Sequence, residues 1–168
     1  MDFEITPEQR MLRDMVYKWS LNELGPLQER IDEEDWMPPD FFKKLGELGV
    51  LGITVDERYG GAGLDYLSHV IVMEEMSRIS PSMAVSYAAH SNLCLDNIHR
   101  NASEELKVKY IPDMVEGEKI GALALTEPNA GSDAMNIRTR AKKDGNKYIL
   151  NGTKIFITNG PVADIILV

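Results

Sequence analysis

Near Gly121 the hydrophobic period of the chain changes, and this change limits the fold more than any other feature. Before it, apolar residues recur every three to four positions, the spacing of helices buried on one face. After it come short alternating runs separated by turns containing Gly and Asn, the spacing of strands. Helices first and strands second predict an α+β chain and exclude a βαβ-wound parallel sheet. The pattern predicts an N-terminal α-helical bundle domain over 1–120, followed over 121–168 by the start of a β-domain, a barrel or sheet.

Within the first part, Thr6-Pro7 followed by Glu8 and Gln9 is a helix start, with Thr as N-cap and Pro in the first turn. Met11, Leu12, Met15, Val16 and Trp19 give that helix its apolar face, and Gly25-Pro26 stops it. The acidic stretch from Asp32 reads as a solvated turn. Asp40 then caps a helix carrying Phe41, Phe42, Leu45 and Leu48, which Gly49 ends. From about Tyr66 a further helix places Val70, Ile71, Met73 and Met76 on one face. Ser80-Pro81-Ser82 breaks it, and Ser82 caps a helix running to about Arg100. Ser103 with Glu104 and Glu105 opens the last one, with Leu106, Val108, Tyr110 and Ile111 as its apolar positions.

In the second part, 121–126, 137–143, 147–150, 155–158 and 165–168 have strand character. Turns are expected at Asp144-Gly145-Asn146 and Asn151-Gly152. The final strand would leave an open apolar edge, so the chain is expected to be truncated.

The formal charge is −9, with Lys and Arg scattered, so a nucleic-acid partner is excluded by repulsion over most of the surface. The single cysteine, Cys94, makes an intramolecular disulfide impossible and suggests a reducing compartment. The start, MDFEITPEQR, lacks the features of a signal or transit peptide, and no apolar run reaches the roughly 20 residues that span a bilayer. A soluble, intracellular protein is expected. No dinucleotide or phosphate-loop motif is present, no G-x-S-x-G, and no Cys/His cluster with metal-ligand spacing.

Several residues invite chemistry and read more simply. Glu74-Glu75 is a surface pair, since adjacent helical side chains diverge. His69, His90 and His99 share no spacing and read as structural or surface groups. Cys94 reads as a small buried hydrophobe, and 59–63, YGGAG, as a chain reversal.

The informative segment is Thr126-Glu127-Pro128-Asn129-Ala130-Gly131-Ser132-Asp133. A buried strand feeds a loop that exposes N–H groups and two hydroxyls, which suits an anion or the polar edge of a cofactor ring, or an ordinary turn. The string 123–133, LALTEPNAGSD, resembles the acyl-CoA dehydrogenase family almost letter for letter. A second element, Phe156-Ile157-Thr158-Asn159-Gly160, resembles that family's W-I-T-N-G strand at the right separation. LGVLGI, YGGAGLDYLSHVIVMEE, SYAAHSNLC and KYIPDMVEGEKIGALALTEP extend the resemblance over essentially all 168 residues, and SYAAHSNLC is most similar to the isovaleryl-CoA members.

The resemblance implies FAD as cofactor, contacted by Leu123, Ala124, Leu125, Thr126, Gly131 and Ser132, with Thr126 toward the pyrimidine edge. It implies that Phe156, Ile157 and Thr158 lie against the flavin, with the Thr158 hydroxyl near N5. Ser132 would also touch the CoA side of the substrate, and Val85, Ala89 and Leu93 match positions near the acyl pocket. Phe156 stands where the family usually has Trp, which keeps an apolar shield and removes an indole N–H donor.

The implied activity is α,β-dehydrogenation of a short, branched acyl-CoA, with electrons passed to an electron-transfer flavoprotein. A homotetramer is implied too, in the bacterial cytoplasm or the mitochondrial matrix. The family's catalytic carboxylate lies on a C-terminal helix beyond Val168, so no catalytic residue is assigned. An acyl-CoA oxidase or flavin monooxygenase of the same superfamily, and a non-catalytic fragment that only folds or binds partners, remain open alternatives. The superfamily's DNA-associated branch is disfavoured by the acidic balance.

Overall fold

The computed structural model describes residues 4–168; Met1, Asp2 and Phe3, part of the segment read for a leader, lie outside them. Seven α-helices precede four short strands among the described residues. Helix α1 (Pro7–Glu23) begins in a capping box: Thr6 Oγ1 accepts from the Gln9 N–H at 3.2 Å, and Gln9 Oε1 accepts from the Thr6 N–H at 3.0 Å. A short α2 (Gln28–Glu33) follows, then α3 (Phe41–Leu48), which ends on Gly49 in the left-handed conformation, φ 79°. Next come α4 (Tyr66–Ser77) and α5 (Pro81–Ala88). The chain then passes through a π-helical stretch (Ala89–Asp96) into α6 (Asn97–Asn101), and α7 (Glu104–Val115) closes the helical part.

Two buried clusters support this arrangement. One joins α1, α2, α3, α4 and α5 through Val16, Ile31, Phe42, Leu45, Met76 and Tyr87. The other joins the π stretch, α6 and α7 through Cys94, Leu95, Ile98, Ile111 and Met114, with Ile165 and Leu167 of the last strand packed on it. The first strand, β1 (Gly121–Leu123), pairs in parallel with β4 (Ile165–Leu167), Gly121 opposite Ile165 and Leu123 opposite Leu167. Strands β2 (Arg140–Asp144) and β3 (Lys147–Asn151) form an antiparallel hairpin in which Gly145 supplies the positive φ of the turn.

Helices followed by strands are what the change of period predicts, and the order of elements agrees. Several local expectations are corrected. The cap of α5 is Ser80, with Pro81 in the first turn, rather than Ser82. The acidic stretch from Asp32 begins inside α2. Met11 is 73% exposed, and Met15, Val70, Leu106 and Val108 are exposed as well, so five residues placed on apolar faces are not buried here. Glu75 is buried rather than on the surface, with Arg78 Nη1 at 2.7 Å. The segment 155–158 forms no strand, and 151–152 forms no turn.

Candidate functional site

The two strings singled out from the sequence come together at one edge of the molecule. The end of β1 is held by the Ala124 N–H donating to the Leu167 carbonyl at 2.7 Å. Past it the chain turns outward, with Ala124 buried, Leu125 exposed and Thr126 half-buried. Reciprocal backbone bonds between Glu127 and Ala130, 2.9 and 3.1 Å, close a tight loop with Pro128 and Asn129 at its tip. Gly131 and Ser132 leave it exposed. The second string reaches this loop through the Ile155 N–H, which donates to the Thr126 carbonyl at 3.0 Å.

Phe156 follows with φ 57° and an 88% exposed ring. An aromatic residue in the left-handed region is strained, and the side chain gains no burial in return. Ile157 is half-buried and Thr158 exposed. Asn159, at φ 64° and almost fully buried, ties the string down: its Nδ2 donates to the Ser86 carbonyl of α5 at 2.9 Å and to the Gly121 carbonyl of β1 at 3.2 Å.

Glu127 sits beneath this edge. Its carboxylate accepts from the Arg138 N–H at 2.8 Å, the Thr139 N–H at 2.8 Å and the Lys154 ammonium at 3.0 Å. Lys154 Nζ also donates to the Leu125 carbonyl at 2.9 Å. The Thr139 side chain, then the Arg138 N–H, hold the carboxyl well below the usual carboxylate range, at about 2, and Lys154 acts in the same direction. The Thr139 hydroxyl lies close without forming a well-directed hydrogen bond of its own.

The three residues matched to an acyl pocket separate. Val85 on α5 and Leu93 in the π stretch are about half exposed, whereas Ala89 between them is buried. In an α-helix a spacing of four keeps three residues on one face; the π stretch widens each turn and breaks that alignment. The stretch is pinned from several sides. Ser91 Oγ donates to the Leu51 carbonyl at 2.6 Å, and the buried Asp96 accepts from Thr54 Oγ1 at 2.7 Å and Arg100 Nε at 2.7 Å, and from the Tyr66 hydroxyl. His90, wholly buried, donates from Nε2 to the Met114 carbonyl at 3.0 Å and accepts at Nδ1 from the Gly121 N–H at 2.9 Å. His90 therefore ties the end of α7 to the first residue of β1.

A groove of about 660 Å³ lies elsewhere, among Trp36, Pro38, Phe42, Met83 and Val162. It touches the candidate edge only through Ser86 and Asn159 and contains none of the residues expected to contact a cofactor or substrate. Among the described residues no group of three or more His, Cys, Asp or Glu side chains could hold a metal ion, and no helix is long and apolar enough to cross a membrane. Glu127, Lys154 and Asn159 were not singled out from the sequence. Glu127 and Asn159 stand inside the two informative strings, but no local signal marks Lys154.

Comparison with known proteins gives this edge its context. The family model for the acyl-CoA dehydrogenase N-terminal domain matches residues 6–118, and that for the middle domain matches 122–168. Mitochondrial isovaleryl-CoA dehydrogenase from Pongo abelii is 51% identical over 166 residues, covering 98% of this chain and 39% of its own length. Butyryl-CoA dehydrogenase from Megasphaera elsdenii superposes with a TM-score of 0.91 at 37% identity, over 99% of this chain and 44% of that one. A glutaryl-CoA dehydrogenase from Mycobacterium smegmatis in complex with FADH2 gives 0.92 at 34% identity, over 96% and 42%. The chain thus spans about two fifths of the length of the curated relatives it matches. With both family models matched in sequence and the fold shared at high superposition scores, this chain belongs to the acyl-CoA dehydrogenase family.

Proposed function

We propose that the protein is an FAD-dependent acyl-CoA dehydrogenase acting on a short, branched acyl-CoA of the isovaleryl type, with electrons leaving to an electron-transfer flavoprotein. The observation that carries this reading is the strained, exposed Phe156 beside an edge that displays the hydroxyls of Thr126, Ser132 and Thr158. An apolar ring next to several hydrogen-bonding groups suits a flat heterocycle with one apolar and one polar part. The residues present therefore fit a flavin. Leu123, Ala124, Leu125, Thr126, Gly131 and Ser132 would hold it from one string, and Phe156, Ile157 and Thr158 from the other. FAD, when bound, supplies the two-electron acceptor for removing hydrogen from Cα and Cβ of an acyl thioester.

This chain's own part is to bind, orient and keep water away. Hydroxyl and backbone N–H donors fixed in advance by the Glu127–Ala130 loop and the Asn159 tether stabilise developing negative charge without reorganising. Phe156 screens one face from solvent. Ser132 would also meet the CoA side of the substrate, and Val85 and Leu93, with the buried Ala89 behind them, offer an apolar wall for the acyl group. The resemblance assigns the α-proton base to a carboxylate outside these 168 residues, so none of them is proposed for that role.

Support for the branched, short acyl group comes from the isovaleryl-CoA relative at 51% identity. Division into a helical domain over 1–120 and a β-domain from 121, a homotetramer, and a bacterial cytoplasmic or mitochondrial matrix location belong to the same reading. The decisive experiment is an anaerobic titration with isovaleryl-CoA of the FAD-loaded protein in a form that includes the helix carrying that carboxylate, followed by visible absorbance. Bleaching of the flavin with formation of the 2-enoyl product is expected. Bound flavin that no short acyl-CoA bleaches, or a protein that takes up no flavin, would refute the proposal.

A further inference from the structure

Three segments meet at Glu127. Its own loop carries Thr126, the Arg138 and Thr139 N–H groups lead into β2, and Lys154 directly precedes the stretch that holds Phe156. The Glu127 residue is 6% exposed and the Lys154 side chain 13%, in a region where Arg138, Arg140, Lys142, Lys143, Asp144 and Lys147 are all exposed. Withdrawing two opposite charges from water is costly unless nearly every hydrogen bond is restored. Here the carboxylate receives three such bonds and the ammonium gives two, one of them to the Leu125 carbonyl. A plain surface turn has no use for such an arrangement. What it provides is geometry: it joins segments that no hydrophobic cluster holds together, since neither buried cluster includes any residue from 125 to 158.

We propose that Glu127 and Lys154 form a clamp that holds the loop of Thr126 and the stretch 156–158 in one relative position, so that both present to the flavin as a single preformed surface. The inference rests on the flavin reading above. Both are positioning residues: Glu127 acts through Thr126 and the β2 hairpin, and Lys154 through Leu125 and Glu127. The bonds are unequally shared. Replacing Glu127 removes the acceptor of all three donors, whereas replacing Lys154 leaves the Arg138 and Thr139 bonds in place.

That asymmetry gives the test. Amide hydrogen exchange is measured residue by residue on the wild-type protein, Glu127→Met and Lys154→Met, and FAD affinity is measured on the same proteins and on Lys154→Arg. In the wild type, the Arg138 and Thr139 amides are expected to be protected despite their exposed surroundings. Glu127→Met should speed their exchange by about tenfold or more, and Lys154→Met should leave them slow. Both variants should weaken FAD binding by about tenfold, and Lys154→Arg should restore it, which a general loss of stability would not allow.

Unprotected Arg138 and Thr139 amides in the wild type would overturn the clamp without any variant having to fold. Variants that bind FAD as tightly as the wild type would overturn its role in positioning. A wild type that takes up no FAD would instead overturn the flavin reading, and amide exchange would then decide on the clamp alone.

Discussion

His90 offers the sharpest link between a single side chain and a measurable property. It is wholly buried, with Nε2–H on the Met114 carbonyl at 3.0 Å and Nδ1 receiving the Gly121 N–H at 2.9 Å. This pairing requires the neutral ring with its proton on Nε2. Protonating Nδ1 would turn an acceptor into a donor facing another donor. Burial, offset only in part by the bond to Met114, lowers the pKa from 6.5 to about 4. The folded protein therefore keeps His90 neutral between about pH 6.5 and pH 4, while the unfolded chain takes up a proton there.

Because the unfolded state binds more protons in that window, stability falls as the pH is lowered through it. Each pH unit is worth about 1.4 kcal/mol, so His90 removes roughly 2 kcal/mol between about pH 7 and pH 5 and about 3 kcal/mol by pH 4. His69 is shifted in the same direction by burial, so the wild type alone does not isolate His90. Comparison with His90→Gln does. Gln does not titrate and keeps one donor and one acceptor, yet it fits the site less well and should cost about 1–3 kcal/mol near pH 7. Urea unfolding followed by helical circular dichroism, repeated from about pH 7 to pH 5, should show the advantage of the wild type shrinking by roughly 2 kcal/mol. A difference that stays constant with pH would refute the assignment of His90 as a neutral bridge between α7 and β1.

Three further expectations are independent of it. Thr6→Ala removes one half of the capping box of α1 and should cost about 1 kcal/mol, read from the urea midpoint. Gly46→Ala places a methyl about 2.2 Å from the Glu116 carbonyl oxygen, where α3 meets the end of α7, and should cost roughly 2 kcal/mol or more in the same assay. Phe156→Gly should relieve the positive φ and raise the protection of the neighbouring amides in hydrogen exchange by several-fold, for about 1 kcal/mol of strain. The same change should weaken FAD binding, so that stability and affinity move in opposite directions.

The parts of this fold that were legible in the sequence are those decided within a few residues. Thr6-Pro7 with Gln9, and Gly49 at φ 79°, act through bonds to their own helix, so local pattern is enough to place them. Met11 and Val70 fail for the converse reason: a period of 3.6 tells which residues share a face, but not whether another element covers it. The π stretch lies beyond periodicity altogether, because the buried groups that pin it, Ser91 to Leu51 and Asp96 to Thr54, are some 40 residues apart in sequence. It is also what separates Ala89 from Val85 and Leu93.

The segment 155–158 has strand composition and forms no strand, and the tether explains why. Asn159 must turn inward to reach Ser86 and Gly121, and the backbone takes up positive φ at both Phe156 and Asn159 to let it. Within the two informative strings the motif was legible, but the division of labour among its letters was not. Thr126 and Glu127 are adjacent, and only the partners of Glu127, 11 to 27 residues away, show that it points into the protein. A motif of this kind mixes residues that present themselves to a ligand with residues that hold them in place. Burial separates the two classes: Ser132, Phe156 and Thr158 face outward, whereas Glu127 and Asn159 do not. Substitutions in the outward class should therefore alter affinity with the loop still ordered, and substitutions in the inward class should loosen the loop first and lose affinity as a consequence.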